Sequence, residues 1–158
     1  MSATTPWDVQ SAGEIVDTRR NEPGAMLPIL HDLQERFGYV DDEAVPLIAE
    51  VLNISKAETL GVISFYPDFR RQPVEGTVVK LCRAESCQAA GGEALVEHLR
   101  RRHGIVVDGN GGPGPIIETV YCLGHCALSP AALVDGAPVA RLDEAKIDAI
   151  VASARGLR

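Results

Sequence analysis

The spacing of apolar residues predicts α-helices in the first half of the chain. Met26, Leu30, Leu33 and Phe37 recur three or four residues apart, which is the period of one helical face, and Gly38 follows where a helix would end. The first part of the chain, residues 1–72, is therefore predicted to form an N-terminal helical bundle. The same period predicts three further helices, at about residues 9–19, 42–52 and 55–66.

Two of these helices carry polar residues that favour a helix start. Asp41 or Asp42 precedes the apolar residues of the third predicted helix, where an aspartate can accept a hydrogen bond from the first turn. Ser55 and Glu58 have the spacing of a capping box, in which each side chain accepts from the backbone N–H of the other residue. We therefore expect side-chain caps on both helices.

The pattern changes near residue 75, where short β-branched segments replace the helical period. Residues 77–82 and 116–122 are predicted strands, and Asp135-Gly136 predicts the turn of a hairpin. The order β-α-β-β-α predicts an α/β (α+β) domain over residues 73–158, with helices packed on a small sheet. The remaining predicted elements are helices at about residues 92–102 and 143–154 and a glycine-rich loop at residues 108–115.

Composition narrows the functional classes. Apolar residues make up 46% of the 158 positions, so the chain can bury a core, and the formal net charge is −7. This acidity argues against a nucleic-acid partner, because phosphate binding needs clustered lysine and arginine. No apolar run approaches the roughly 20 residues that cross a bilayer, and residues 1–8 lack the pattern of a secretory signal. We therefore expect a cytoplasmic protein without membrane insertion, whose cysteines stay reduced.

Four cysteines carry the clearest chemical pattern in the sequence. Cys82 and Cys87 follow the first predicted strand, and Cys122 and Cys126 follow the second. If these strands are parallel neighbours, their carboxyl ends lie at the same edge of the sheet and the four thiolates meet. Four thiolates are the ligand set of a [2Fe–2S] cluster, with one pair for each iron. The sequence therefore predicts one such cluster per chain and an electron-transfer function.

Two other uses of the cysteines remain open at this point. A structural zinc ion also binds four cysteines in two pairs, and spacers of four and three residues are compatible with it. Such a chain would be a zinc-stabilised interaction module. A thiol redox protein would form a reversible disulfide instead, although the sequence lacks the Cys-x-x-Cys pattern typical of thioredoxins. Metal content and colour distinguish the three hypotheses.

The cysteine pattern resembles that of a known family. Cys-x4-Cys, followed after 34 intervening residues by Cys-x3-Cys within Tyr121-Cys122-Leu123-Gly124-His125-Cys126, is similar to the thioredoxin-like [2Fe–2S] ferredoxin family. The resemblance extends over about residues 23–151 and implies a thioredoxin-like fold for residues 73–158. Three segments of the first half match as well: Leu27-Pro28-Ile29-Leu30-His31-Asp32-Leu33-Gln34, Phe37-Gly38-Tyr39-Val40 and Gly61-Val62-Ile63-Ser64-Phe65-Tyr66.

The resemblance also implies partners. Members of this family serve respiratory complex I, NAD-reducing hydrogenases and soluble molybdenum or tungsten formate dehydrogenases, each time beside a flavoprotein that carries FMN and the NAD site. The segment Cys82-Arg83-Ala84-Glu85-Ser86-Cys87-Gln88-Ala89 looks most like the gamma subunit of NAD-dependent formate dehydrogenase. This implies a flavoprotein beta subunit and a molybdopterin-containing alpha subunit as partners. The E-type subunit of NADH:quinone oxidoreductase and the corresponding hydrogenase subunit are the alternatives.

The histidines are expected to have lesser roles. His125 lies between two predicted ligands, but four cysteines complete the site without it. His31, His98 and His103 fall on predicted helices and are expected at the surface. We find no Ser/His/Asp or Cys/His arrangement and no carboxylate pair suited to acid–base catalysis. We therefore expect no catalytic residue in this chain, and the family resemblance implies that FMN and NAD lie on its partner.

Overall fold

The computed structural model describes residues 5–109 and 114–156, which divide into two compact units. One unit comprises the described residues up to Val74, and the other comprises those from Glu75 onward. Residues 110–113 of the predicted glycine-rich loop lie outside the described residues. In the described part of the chain, no helix combines the length and the apolar character needed to cross a membrane.

The first unit contains α-helices at the positions predicted from the apolar period. Their described bounds are α1 Val9–Thr18, α2 Met26–Phe37, α3 Ala44–Leu52 and α4 Lys56–Phe65. In α2, the buried Leu30, Leu33 and Phe37 lie on the predicted face, and the helix ends at Gly38 with φ of 82°. The helix prediction over residues 26–37 is therefore confirmed. The description of residues 1–72 as a helical bundle stays a prediction.

The predicted caps differ in outcome. The capping box of α4 is confirmed, because Ser55 Oγ accepts from Glu58 N at 3.1 Å and Glu58 Oε2 accepts from Ser55 N at 2.8 Å. The prediction for α3 is wrong, because the helix is preceded by Glu43 and no side chain caps it. Asp41 instead accepts from the backbone N–H of Glu43 at 2.9 Å, just before the helix. The carboxylate thus stabilises the turn that enters the helix.

The second unit is built on a four-stranded mixed sheet. Its strands are β1 Val78–Cys82, β2 Ile116–Val120, β3 Ala132–Val134 and β4 Ala137–Val139, and they lie in the order β2-β1-β3-β4. β1 is parallel to β2, with Cys82 opposite Val120, whereas β3 is antiparallel to both β1 and β4. The predicted hairpin at Asp135-Gly136 joins β3 to β4. The helices of this unit are α5 Glu85–Ala89, α6 Gly92–His98 and α7 Glu144–Gly156. A π-helical turn, Leu99–His103, continues α6, and a 3-10 turn, Cys126–Leu128, precedes β3.

The core of this unit lies between the sheet and its helices. β1 contributes Val79 and Leu81, which alternate along the strand as expected for one buried face. The helices and the neighbouring segments supply the remaining buried members: Leu95, Leu99, Ile105, Ile117, Ala132, Leu142, Ile147 and Val151. The sheet and helices therefore form the small α/β layer structure predicted from the order of elements.

The structure corrects three details of the prediction in this unit. The helix predicted at about residues 92–102 is α-helical only to His98 and continues as the π turn to His103. The strand predicted over residues 116–122 ends at Val120, because Cys122 has φ of 71°, outside the extended region. The sequence does not predict α5, because five residues are too few to show an apolar period.

The capping box of α4 yields a stability prediction. Ser55→Ala removes the hydroxyl that accepts from Glu58 N and donates to Glu58 Oε2, while the backbone N–H of residue 55 can still donate to Glu58. We expect a loss of about 1 kcal/mol in the free energy of unfolding. Ser64→Ala in the same helix is the control and should change it by less than about 0.5 kcal/mol. Urea denaturation of both variants measures the difference, and equal midpoints would contradict the capping role.

The same box predicts a pH dependence. The backbone N–H of Ser55 and, after it, the Ser55 hydroxyl hold the pKa of Glu58 below the ordinary value, so the carboxylate stabilises the folded state above its unfolded pKa. That stabilisation is lost as the pH falls through the folded pKa. Ser55→Ala keeps the backbone donor and loses only the hydroxyl's bond to the carboxylate. The gap in unfolding free energy between Ser55→Ala and the unaltered chain should therefore narrow on acidification by the hydroxyl's share alone, and urea denaturation at a series of pH values measures it.

Candidate metal centre

The four cysteines lie at one edge of the sheet because β1 and β2 are parallel neighbours. Cys82 is the last residue of β1, and the loop after β2 begins beside it. The backbone N–H of Arg83 donates to the carbonyl oxygen of Val120 at 2.9 Å, which joins the two strand ends. The predicted parallel pairing of the two strands is therefore confirmed, and with it the convergence of the two cysteine loops at one end of the sheet.

The first pair, Cys82 and Cys87, is buried. Each residue is 3% exposed, and α5 carries Cys87 back over the end of β1. Gly92, at the start of α6, lies against this loop so closely that an added Cβ would be 2.7 Å from the carbonyl oxygen of Cys87. Gly92 therefore allows α6 to approach the backbone that presents the first pair.

The second pair, Cys122 and Cys126, is exposed. The chain turns sharply between them, with φ of 71° at Cys122 and 76° at Gly124, a conformation that glycine adopts without strain. The Sγ atoms of Cys122 and Cys126 are 3.9 Å apart. Two thiolates bound to one tetrahedral metal ion would be about 3.8 Å apart, given metal–sulfur bonds of about 2.3 Å. The second pair is thus spaced for a single ion.

Backbone N–H groups converge on the sulfur of Cys82. It accepts from the N–H groups of Ala84, Cys122 and Leu123 and from the thiol of Cys87. Burial is the largest single influence and raises the pKa of Cys82, but the hydrogen bonds together outweigh it and the pKa falls below the ordinary thiol value. These donors come from both loops, so the fold favours the thiolate where the loops meet.

The exposed pair shows the opposite electrostatic effect. The hydrogen bond and the charge of Cys122 are the main causes that raise the pKa of Cys126, and burial and the charges of Cys87 and Cys82 add to them. The four thiolates therefore repel one another across the site. A cationic metal centre would remove this repulsion, and binding would proceed with loss of the thiol protons.

Serines link the two loops around the sulfurs. The hydroxyl of Ser86 donates to the carbonyl oxygen of Cys126 at 3.2 Å and lies 3.0 Å from the hydroxyl of Ser129. Ser129 Oγ is 3.5 Å from the Sγ of Cys87 and donates to the carbonyl oxygen of Cys126 at 2.9 Å. The sequence alone does not identify these serines, because the links between the loops join residues 40 or more positions apart.

His125 makes a backbone contact. Its Nδ1 lies 2.9 Å from the carbonyl oxygen of Leu123, which fixes the ring within its own turn. The backbone N–H of Gly124 is the neighbouring group that donates to sulfur, at 3.4 Å from Cys122 Sγ. The contact of His125 is compatible with the expectation that it is not a ligand.

The donor set fits a two-iron group better than a single zinc ion. Four thiolates around one zinc would all lie about 3.8 Å apart. Among the described residues, however, no three cysteine sulfurs lie within 4.8 Å of one another. The sulfurs instead form two pairs that are close enough for the charges of Cys82 and Cys87 to raise the pKa of Cys126. Two pairs are the arrangement that a [2Fe–2S] group requires, because each iron binds two thiolates.

Comparisons with known proteins point to the same family. Residues 12–155 match the thioredoxin-like [2Fe-2S] ferredoxin family. The chain is similar to the E-type subunit of the NADH-quinone oxidoreductase of Pseudomonas aeruginosa, with 33% identity over 112 residues that cover 70% of this chain and 68% of that protein. It is also 26% identical over 122 residues to a subunit of an NADP-reducing hydrogenase of Solidesulfovibrio fructosivorans, covering 77% and 71% of the two chains.

A solved structure supports the fold. The chain superposes with a TM-score of 0.70 and 25% identity on part of a crystal structure of NAD+-reducing [NiFe]-hydrogenase in the air-oxidized state. The match covers 88% of this chain but only 24% of that chain. The α/β architecture and the thioredoxin-like assignment are confirmed by these findings, and none of these three relatives is a formate dehydrogenase. The chain belongs to the thioredoxin-like [2Fe-2S] ferredoxin family.

Proposed function

We propose that this chain is the [2Fe–2S] electron-transfer subunit of a multisubunit NAD-linked oxidoreductase, of the type represented by NADH-quinone oxidoreductase and NAD-reducing hydrogenase. The observation that carries the proposal is the pair of cysteine loops at the carboxyl ends of two parallel strands. The family match over residues 12–155 supports it. We further propose residues 73–158 as the cluster-binding domain and residues 1–72 as a separate helical region.

The proposed ligands are the four cysteines, with Cys82 and Cys87 on one iron and Cys122 and Cys126 on the other. When bound, the cluster supplies one-electron redox chemistry. The residues around it favour the negative charge of the sulfurs, since N–H groups donate to Cys82 and Cys122. Such hydrogen bonds raise the reduction potential, because they stabilise the more negative, reduced form.

The difference in burial between the pairs suggests where a redox partner binds. Cys82 and Cys87 are shielded from solvent, whereas Cys122 and Cys126 are exposed. Two exposed apolar side chains flank the exposed pair, Tyr121 at 74% and Leu128 at 39% exposure. We propose that this surface contacts the flavoprotein that carries FMN and the NAD site.

The type of complex to which this chain belongs is a separate question. The sequence pattern around Cys82 favours the gamma subunit of formate dehydrogenase, but the relatives named above are subunits of an NADH-quinone oxidoreductase and of a hydrogenase. We therefore propose a parent complex of the NADH-quinone oxidoreductase or hydrogenase type, and keep formate dehydrogenase as the alternative. Affinity purification of the tagged chain from its native cell distinguishes them, because a molybdopterin-containing formate-oxidising subunit would co-purify only if the parent complex is a formate dehydrogenase.

Metal analysis tests the cluster itself. We would purify the chain without oxygen, assay iron, acid-labile sulfide and zinc, and record EPR spectra before and after dithionite. Two irons and two sulfides per chain, with an EPR signal that appears on reduction, are expected for a [2Fe–2S] protein. One zinc ion without sulfide would replace the proposal by the zinc-stabilised interaction module, and a metal-free chain with a reversible disulfide would replace it by the thiol redox protein.

Replacing one ligand should prevent normal cluster assembly. Cys122→Ser removes one of the two sulfurs that lie 3.9 Å apart, so we expect iron and sulfide contents well below two per chain and an altered EPR spectrum. His125→Asn is the control, because His125 contacts backbone rather than sulfur and should retain the cluster. A Cys122→Ser variant with the unaltered spectrum would refute the ligand assignment.

The close approach at Gly92 yields a second test of the site. Gly92→Ala places a Cβ 2.7 Å from the carbonyl oxygen of Cys87, so the first cysteine loop must shift and we expect a lower melting temperature and incomplete iron loading. Gly61→Ala is the control, because its Cβ meets nothing within 4 Å and alanine favours a helix by up to about 1 kcal/mol. Equal iron contents and melting temperatures in the two variants would contradict this role of Gly92.

The proposed partner surface can be tested by truncating its aromatic residue. Tyr121→Ala should weaken binding of the cluster-loaded chain to the co-purified flavoprotein by about 1–2 kcal/mol, roughly 5- to 30-fold. Val106→Ala is the control, because Val106 is 63% exposed but does not neighbour a cysteine in the sequence. A titration of the flavoprotein by surface plasmon resonance measures both, and equal affinities would exclude this surface.

A further inference from the structure

A second group of metal-ligating side chains lies on helices that carry no cysteine. His98 is the last residue of α6, His103 is the last residue of the π turn, and Asp148 lies on α7. One ligand atom from each of the three lies within 4.8 Å of the others, and no other such trio occurs among the residues that the structure describes. The expectation that His98 and His103 are surface residues is wrong, since their side chains are only 13% and 11% exposed.

A single carboxylate oxygen joins the two imidazoles. Asp148 Oδ1 lies 2.7 Å from His98 Nε2 and 2.6 Å from His103 Nε2. The hydrogen bonds from His98 and then from His103 lower the pKa of Asp148 to about 2, so the carboxylate is ionised throughout the neutral range. Two imidazole nitrogens and one anionic oxygen therefore lie within the distances of one another that a shared metal ion requires.

The π turn is what aligns the histidines. In an α-helix with 3.6 residues per turn, side chains five residues apart point about 140° away from each other. A π-helical turn has i→i+5 hydrogen bonds and brings residues at this spacing closer to one face. π-helical turns in otherwise α-helical segments occur frequently at functional sites. The irregular helix end thus has a consequence for ligand geometry that the sequence pattern alone does not show.

We propose that His98 Nε2, His103 Nε2 and Asp148 Oδ1 bind one divalent transition-metal ion of the zinc class, separately from the cysteines. Imidazole nitrogens select this class over magnesium and calcium, which prefer oxygen ligands. Three protein ligands leave the fourth tetrahedral position to water. Metal bonds of about 2.0–2.1 Å place tetrahedral ligand atoms about 3.4 Å apart, so Oδ1 must move roughly 0.7–0.8 Å away from each Nε2 atom when the ion binds.

A neighbouring carboxylate supports the required protonation state. Glu144, four residues before Asp148 on the same face of α7, has Oε1 3.5 Å from Nδ1 of His98. Metal binding through Nε2 moves the ring proton to Nδ1, where Glu144 accepts it in a hydrogen bond. A carboxylate behind a metal-binding histidine fixes the tautomer and raises the basicity of the ligand.

Arg102 acts against metal binding. Its Nε lies 3.1 Å from Oδ2 of Asp148, so it does not occupy Oδ1, but it places a positive charge near the position that the ion would take. Removing that charge should strengthen metal binding if the two histidines and Asp148 form a metal site. If these three side chains only tie α7 to the π turn, the same change should not increase the affinity for metal. Arg102→Met therefore separates the two roles.

The experiment titrates zinc chloride into cluster-loaded protein by calorimetry, with iron, sulfide and zinc measured after gel filtration. We expect one zinc ion per chain in addition to the two irons, with an unchanged EPR spectrum of the reduced cluster. His103→Asn should lose more than about 100-fold in zinc affinity and Glu144→Gln roughly 10-fold, while Arg102→Met should bind several-fold more tightly. His31→Asn, which alters a histidine of the first unit, is the matched control and should bind as the unaltered chain does.

Two results would overturn the inference. One is the absence of zinc from both the unaltered chain and Arg102→Met when circular dichroism shows both to be folded. The other is zinc that stays bound in His103→Asn while iron is lost, because that ion would occupy the cysteines. The iron and sulfide assays report on the proposed electron-transfer site independently, so failure of one site is distinguishable from failure of the other.

Discussion

Parallel pairing of β1 with β2 is the constraint on which the cysteine site depends. The pairs Cys82/Cys87 and Cys122/Cys126 are far apart in the chain, and they meet because parallel neighbours end at the same edge of a sheet. The bond from Arg83 N to the carbonyl oxygen of Val120 holds the two strand ends in register. A slip of one residue would turn the side chain of Cys82 to the opposite face of the sheet.

Negative charge is the cost of bringing four thiolates together. The fold offsets part of it with backbone N–H groups directed at Cys82 and Cys122, while the hydroxyls of Ser86 and Ser129 donate to the carbonyl oxygen of Cys126 and tie the two loops together. The pKa of Cys82 is lowered and that of Cys126 is raised, so the compensation is stronger at Cys82 than at Cys126. A metal centre is the natural counterion for the remaining charge, and the exposed pair is where such a centre would be accessible to another protein.

The same unit assembles ligands in a second way. The cysteines are presented by loops at a sheet edge, whereas His98 and His103 lie on one helical segment and converge through an irregular turn, with Asp148 supplied by a facing helix. The cysteine group is half exposed, with Cys122 and Cys126 at the surface, whereas the side chains of His98 and His103 are only 13% and 11% exposed and share the carboxylate of Asp148. Each group is positioned by the hydrophobic core that joins α6, α7 and the sheet.

The sequence by itself determined the helices α1–α4, the two strands before the cysteines, the hairpin at Asp135-Gly136 and the family, because local periodicity and residue spacing carry that information. It did not determine the start of α3, the short helix α5 or the end of β2, which depend on backbone conformations such as the positive φ of Cys122. The serine links and the His98–Asp148–His103 group required the tertiary structure, since each joins residues more than 35 positions apart. Contacts of that kind leave no periodic pattern along the chain, because they are fixed by the packing of whole elements rather than by neighbours in sequence.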